Sequence, residues 1–264
     1  RITVIMPYLY EGRQHVRLIN ESLDCAQAMQ ELIRMGVETI ITFDAHDNRV
    51  QNAIPNNGFD NFFTSYQFIS TILNDMPDLI VDNEHLMTIS PDEGGMRRAV
   101  FYSNQLGVDM GMFFKRRNYS TLVNGEHPVI SMEFLGNDVS GKDVIIVDDM
   151  IASGKTVLEV AKELKKRNAA HVIICATFGL FNDGLEELDQ AYKEKVFDHI
   201  YTTNLCYCPS ALKERPYYHN VDLSRYIALI IDTLNHDTSV NDIMNATKRI
   251  QELLEERSKN ISSK

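Results

Sequence analysis

Short runs of β-branched apolar residues alternate with segments of helical periodicity along most of this chain. The runs at 39–43, 86–89, 144–147 and 172–176 have the length and composition of buried strands. Strands that alternate with helices are typical of proteins in which helices flank a mainly parallel sheet. The alternation therefore predicts an α/β fold.

Helix predictions rest on apolar residues that recur at the spacing of one helix face. Helices are predicted at about 22–35, 95–105 and 155–167. Gly36 follows the first of them at the position where a glycine commonly ends a helix. A further, polar helix is predicted within 239–264, and residues 1–7 are predicted to form a buried strand and not a signal peptide.

Charge and cysteine usage narrow the functional classes. A net charge of −11 argues against nucleic acid as a partner, because binding a phosphate backbone needs a basic face. Backbone amides and metal ions can still hold a small anion in an acidic protein. Four cysteines indicate a reducing compartment, and the Cys206–Cys208 pair has no second pair or nearby histidine cluster to complete a zinc site. With no apolar run long enough to span a bilayer, we predict a cytoplasmic protein without a membrane partner.

The strongest local signal is the segment 145–156, IIVDDMIASGKT. An apolar strand ends in Asp148 and Asp149, and a short loop leads into a helix. Parallel sheets bind ligands at the carboxyl ends of their strands, so the loop amides with the hydroxyls of Ser153 and Thr156 are predicted to wrap a phosphate. The two acids would hold sugar hydroxyls, directly or through a metal. A Walker A loop is rejected, because it would need a glycine where Asp149 stands.

This loop resembles the phosphoribosyl-diphosphate-binding loop of the type I phosphoribosyltransferase fold. Four further stretches narrow the resemblance to the ribose-phosphate pyrophosphokinases, in the same order along the chain as in that family. They are Pro7-Tyr8 through Arg13-Gln14, Phe43-Asp-Ala-His46, Ser90-Pro-Asp-Glu-Gly-Gly95 and Lys115-Arg-Arg117. The resemblance runs from residue 1 to about 237 and covers most of a family member, without its opening segment.

The resemblance implies transfer of the diphosphate of ATP to the 1-hydroxyl of ribose 5-phosphate, which gives 5-phosphoribosyl 1-diphosphate and AMP. It implies magnesium as cofactor, with His46 and Asp92 as metal ligands. Lys115 and Arg117 would be the catalytic cations of a mobile loop. Phosphoryl transfer needs such charge stabilisation and alignment more than covalent chemistry.

The remaining site predictions also follow from the resemblance. It implies ATP contacts from a small set of residues: Arg13, Gln14 and Asp60. It implies a ribose-5-phosphate site made by Asp148, Asp149, Ser153, Gly154, Lys155 and Thr156.

Three departures from the family pattern keep two alternatives open. The family loop reads Asp-Thr-Gly-Gly-Thr where this chain has Ala152-Ser-Gly-Lys-Thr156, so an acid is lost at Ala152, and the added charge of Lys155 either offsets weaker binding or faces solvent. In addition, His15 follows Arg-Gln, and Phe178 replaces a histidine. Ala152 favours a catalytically silent regulatory relative, whereas Lys115 and Arg117 argue against it. A phosphoribosyltransferase that consumes the product would share the 145–156 loop, but it would not explain the other four stretches.

The resemblance also predicts the domain organisation. Residues 1–64 would be the remainder of an N-terminal phosphoribosyltransferase-like domain, residues 65–233 the C-terminal phosphoribosyltransferase-like domain, and residues 234–264 a C-terminal helix and tail. Family members form hexamers or other oligomers, which implies a homo-oligomer whose ATP site a neighbouring subunit completes. The opening segment of the family, which is absent here, would supply part of that shared site, so we expect residues 1–264 alone to lack full turnover.

Overall fold

The structure is a computed structural model that describes residues 1–17, 19–117 and 129–262. The strands of this part of the chain are β1 (Thr3–Ile5), β2 (Thr39–Phe43), β3 (Gly58–Phe62), β4 (Leu86–Ser90), β5 (Asp109–Arg117), β6 (Val129–Leu135), β7 (Asp143–Ile151), β8 (Val172–Gly179), β9 (His199–Thr203) and β10 (Tyr218–Val221).

The helices are α1 (Asp24–Arg34), α2 (Ser65–Asp75), α3 (Met96–Leu106), α4 (Lys155–Lys166), α5 (Glu186–Lys193), α6 (Ser210–Lys213), α7 (Ser224–Asn235), α8 (Asn241–Met244) and α9 (Ala246–Ser262). A 3-10 helix covers Asn48–Ala53. Within the described ranges, no helix is both long and apolar enough to cross a bilayer.

Two sheets organise these elements. The smaller has the order β1-β2-β3 and is parallel throughout. The larger has the order β10-β9-β8-β7-β4-β5-β6, and only the β5–β6 pair is antiparallel. Mainly parallel sheets flanked by helices confirm the predicted α/β class.

The predicted elements form close to their predicted limits. β2 coincides with the predicted 39–43 run, and α1, α3 and α4 begin or end within two residues of prediction. Gly36 has φ +98°, the left-handed conformation that ends a helix without a steric penalty. β1 is only half-buried, because it lies at an edge of the smaller sheet, and Asn245 divides the predicted C-terminal helix into α8 and α9.

The largest apolar core joins the two sheets. Phe43 and Phe62 of the smaller sheet pack around Tyr226 of α7 at ring distances of 5.9–6.1 Å. α9 lies against α2 and α3, where the Arg257 guanidinium donates to carbonyl groups at the end of α2 and in the turn after it. The two sheets therefore meet through buried contacts, and their strand ends face a common cleft. The domain limits at 64 and 233 stay a prediction.

Candidate active site

The carboxyl ends of three strands border one cavity. β7 supplies Asp148 and Asp149, the turn after β4 supplies Asp92, and the turn after β2 supplies His46. The cavity measures about 400 Å³ and is completed by Arg13 and by the loop that enters α4. Parallel strands end at the same edge of a sheet, which is why acids from distant parts of the chain meet here.

The loop between β7 and α4 has the geometry of an anion cradle. Gly154 adopts φ +87°, which turns the chain into α4, and the first turn of α4 contains no acidic side chain. Ser153, Gly154 and Thr156 line the cavity, so the first-turn amides of a twelve-residue helix lie beside two hydroxyl groups. This arrangement favours a phosphate at the helix N-terminus.

His46 and Asp149 join the two sides of the cleft. His46 Nδ1 lies 2.7 Å from Asp149 Oδ2, and the Asp149 side chain is almost fully buried. Burial opposes ionisation, but the hydrogen bond from His46 and the charge of Arg98 outweigh it and hold the pKa of Asp149 at about 2. Burial, together with repulsion from Asp149, raises the pKa of Asp148 well above its usual value. The site thus concentrates negative charge that a cation would stabilise.

Asp92 is held in a tight turn. Its Oδ1 accepts hydrogen bonds from the amides of Gly94 and Gly95 at 2.9 and 3.1 Å, and its backbone carbonyl accepts one from Ser90 Oγ at 2.6 Å. These bonds fix the carboxylate at the cavity wall and occupy only one of its two oxygens. Asp92 is therefore rigidly placed and has a second oxygen for a ligand.

The donor set suits magnesium bound together with phosphates. Among the described residues, no three histidine, cysteine or acidic side chains are grouped so as to hold a metal by themselves. Magnesium usually takes one or two carboxylates and completes its shell with phosphate oxygens and water. Asp92 and the Asp148–Asp149 pair on the wall of one cavity fit that requirement, and His46 borders the same space.

Three of the predicted binding residues do not line the cavity. The Gln14 side chain donates to Glu21 and to the Ser22 carbonyl, and Lys155 Nζ lies 2.9 Å from Asp183. Asp60 is on β3, opposite Ile41, and burial raises its pKa. The Lys155 charge thus points to Asp183, although its backbone amide remains in the first turn of α4.

The predicted catalytic cations belong to β5. The backbone of Lys115 pairs with that of Met132, and Arg117 pairs with Val129. The side chains of Lys115 and Arg117, and residues 118–128, lie outside the described part of the chain. Their catalytic role stays a prediction.

Residues that sequence analysis missed connect the two sheets behind His46. Arg98 Nε donates to Asp44 Oδ1 at 2.8 Å, and Thr177 Oγ1 donates to Asp44 Oδ2 at 2.7 Å. Burial raises the pKa of Asp44, whereas Arg98 and Thr177 act in the opposite direction. The only signal in the sequence is an acid at a strand end, since the partners of Asp44 are 54 and 133 residues away.

A second, larger cleft of about 670 Å³ adjoins the first and shares His46, Gly94 and Asp148 with it. It lies between the two sheets, and its wall combines charged residues such as Arg97 and Arg98 with a group of large apolar side chains: Phe63, Phe68, Met96, Phe101 and Tyr102. No sequence motif predicts this cleft, because its wall combines residues from β3, α2 and α3, which are separate elements.

Comparison with known proteins identifies relatives over most of the chain. A family model described as "Phosphoribosyl transferase domain" matches residues 65–210. A ribose-phosphate pyrophosphokinase from Vibrio parahaemolyticus is 29% identical over 253 residues, which are 93% of this chain and 74% of that protein. A ribose-phosphate pyrophosphokinase from Aquifex aeolicus is 31% identical over 197 residues, which are 74% of this chain and 59% of that protein.

A solved structure supports the same fold. The crystal structure of phosphoribosylpyrophosphate synthetase from Mycobacterium smegmatis matches with a TM-score of 0.76 at 24% sequence identity. The match covers 90% of this chain and 72% of that chain. Across the curated relatives, the chain spans between 57% and 74% of their length.

Proposed function

Because this chain belongs to the phosphoribosyl transferase domain family, and within it to the ribose-phosphate pyrophosphokinases, we propose that it transfers the diphosphate of ATP to ribose 5-phosphate. The products would be 5-phosphoribosyl 1-diphosphate and AMP. The observation that carries the proposal is the single cavity in which the loop before α4, the Asp148–Asp149 pair, Asp92 and His46 meet.

In the proposed reaction, the β7–α4 loop binds the sugar phosphate. The amides of the first turn of α4 and the hydroxyls of Ser153 and Thr156 supply donors to the 5-phosphate. Asp148 and Asp149 lie on the same wall and would orient the sugar hydroxyls. The sugar 1-hydroxyl is then the attacking group, and no protein nucleophile is required.

His46 and Asp92 would hold magnesium together with the phosphates of ATP. When bound, magnesium would neutralise phosphate charge and help to align the attacking and leaving oxygens. Asp92 contributes a carboxylate fixed by two backbone amides, and His46 is held by its 2.7 Å contact with Asp149. These contacts fix the positions of the two proposed metal-binding side chains before substrate binds.

Charge that develops on the transferred diphosphate needs cations from the protein. We assign this role to Lys115 and Arg117, which follow an apolar stretch of β5. For ATP we assign Arg13, which lines the cavity, together with Gln14 and Asp60. We also propose that the protein acts in the cytoplasm as a homo-oligomer, by analogy with the hexamers of the family. A neighbouring subunit would then complete the ATP site.

The proposal is tested by AMP release from ATP and magnesium, with and without ribose 5-phosphate, using the full natural polypeptide that contains this sequence. We expect AMP only when the sugar phosphate is present, and loss of it in Lys115→Ala. Ribose 5-phosphate binding without AMP would instead identify a regulatory relative. Consumption of 5-phosphoribosyl 1-diphosphate with a nucleobase would identify a phosphoribosyltransferase.

A further inference from the structure

We infer that Arg98 is a positioning residue for the proposed reaction, and that it acts through Asp44 to hold His46 against Asp149. The inference rests on the proposed function for its kinetic part only. It assigns a role to two buried charged residues that lie outside the predicted site.

The backbone that carries His46 leaves β2 in an unusual conformation. Asp44 has φ +41°, a left-handed value that residues other than glycine rarely adopt. Its amide donates to the Phe62 carbonyl at 2.9 Å, and the Ala45 amide donates to Asn61 Oδ1 at 3.0 Å. Such a conformation persists only where surrounding contacts impose it, so the turn depends on its neighbours.

The side chain of Asp44 is the main long-range tether of this turn. Both carboxylate oxygens are bound, Oδ1 by Arg98 Nε at 2.8 Å and Oδ2 by Thr177 Oγ1 at 2.7 Å. Thr177 Oγ1 also lies 3.0 Å from Thr64 Oγ1. Arg98 is on α3 and Thr177 on β8, so Asp44 of the smaller sheet is tied to two elements of the larger one.

Arg98 also balances the negative charge of the site. Its side chain is only 13% exposed; burial lowers the pKa of its guanidinium, but the charges of Asp44, Asp149 and Asp148 outweigh that effect and raise it. Removing one partner of a buried ion pair leaves the other charge uncompensated, which is strongly unfavourable. Without Arg98, Asp44 Oδ1 would lose its partner, and the turn would lose one of the two side-chain bonds that tie it to the larger sheet.

His46 is two residues beyond Asp44 and would follow any movement of that turn. Its Nδ1 lies 2.7 Å from Asp149 Oδ2, and this contact is the direct bond between the turn and β7. A shift of about 1 Å in a reacting group can lower a rate by about 100-fold. The effect of Arg98 should therefore appear in kcat, whereas the β7–α4 loop that binds the sugar phosphate should be unaffected.

The kinetic test compares Arg98 variants in the sugar-dependent AMP assay. For Arg98→Met we expect a kcat about 100-fold lower, with the KM for ribose 5-phosphate changed less than about 3-fold. Arg98→Lys keeps the charge but loses the planar fork, so it should restore part of the rate, to about 10-fold below the natural protein. Thr177→Val, which removes the other bond to Asp44, should lower kcat in the same direction by a smaller factor.

Arg215→Met is the matched control. Arg215 binds Asp189 with a closest distance of 2.8 Å, so the substitution also breaks an arginine–aspartate pair, but one formed between α5 and the turn before β10. We expect its kcat to stay within about 2-fold of the natural value, as for other partly exposed ion pairs. A loss equal to that of Arg98→Met would show a general stability effect and overturn the inference.

A spectroscopic measurement separates the inference from the proposed reaction. In protein labelled with ¹⁵N-histidine, the His46 Nδ1 resonance is assigned by its loss in His46→Asn. At a fixed pH we expect it to shift in Arg98→Lys and in Thr177→Val but not in Arg215→Met. If the natural protein releases no AMP, the proposed function fails, yet this shift still tests the contact. An unchanged resonance in both Arg98→Lys and Thr177→Val would overturn the inference.

Discussion

The two strand ends that face each other across the site, those of β7 and β2, are held in different ways. The turn after β7 is fixed by backbone bonds to the segment that follows the neighbouring strand β8, whose Leu180 and Asn182 amides donate to the Ile151 and Ala152 carbonyls. The turn after β2 is fixed mainly by side chains from other elements, Arg98, Thr177 and Asp149. One side of the site is thus held by main-chain bonds to an adjacent segment, and the other is held mainly by a few side chains.

The two sides of the site are therefore suited to different roles. The β7 side combines a buried central strand with a helix N-terminus, which favours a preformed phosphate site. The β2 side carries His46 on a smaller sheet that contacts the larger one across a cleft. Substitutions on the β7 side should therefore change sugar-phosphate binding, whereas those on the β2 side should change alignment and stability.

The largest effect is expected where the two sides touch. Asp149→Asn replaces the carboxylate that accepts the hydrogen bond from His46 by a neutral amide. Sugar-dependent AMP release should therefore fall by about 100- to 1000-fold. Asp143→Asn is the control, because Asp143 begins the same strand at its opposite end and binds His171 at 2.7 Å. Equal activity in the two variants would contradict the assignment of Asp149 to the site.

The next effect separates the two sides by stability. Thr177→Val leaves Asp44, which is buried, with one bond fewer, and should lower the free energy of unfolding by about 1–3 kcal/mol. Ser153→Ala, on the β7 side, removes only a 3.4 Å contact with the Lys155 amide and should cost less than about 0.5 kcal/mol. Urea denaturation of both variants makes the comparison, and a larger loss in Ser153→Ala would reverse it.

A smaller effect tests the backbone of the β7–α4 loop, which we propose to bind the sugar phosphate. Gly154 has φ +87°, and a Cβ atom there would have its nearest neighbour, Leu188 Cδ2, at 3.6 Å, so a methyl group fits. Gly154→Ala should therefore act through conformational strain of about 1–2 kcal/mol, raising the KM for ribose 5-phosphate about 10-fold. Gly141→Ala, also at positive φ with open space but remote from the site, should leave that KM unchanged.

The smallest effect concerns the Lys155 side chain. Its ammonium group is exposed and pairs with Asp183, so Lys155→Ala should change the KM for ribose 5-phosphate by less than about 3-fold. Titration of initial rates against ribose 5-phosphate measures it. A change above 10-fold would show that the lysine turns away from Asp183 to contact the phosphate.

Sequence reasoning was most successful where the relevant interactions are local. β2 and α4 formed near their predicted limits, because apolar periodicity and the glycine at 154 act within a few residues. The predicted grouping of Asp148, Asp149 and Ser153 at one cavity is also a local consequence of a strand that runs into a helix. Gln14 and Asp60 were predicted from family resemblance, and Lys155 was predicted from its place in the 145–156 segment. The side chains of all three lie away from that cavity.

The α/β class, the strands at 39–43, 86–89, 144–147 and 172–176, and the strand–loop–helix segment at 145–156 could be predicted from the sequence alone, because each depends on neighbouring residues. The bonds from Arg98 and Thr177 to Asp44, and the contact of His46 with Asp149, which lies 103 residues away, become visible only in the folded structure. The larger cleft likewise exists only because the two sheets pack through a shared core. Contacts of this kind depend on how whole elements are placed in space, and no periodicity along the chain encodes that placement.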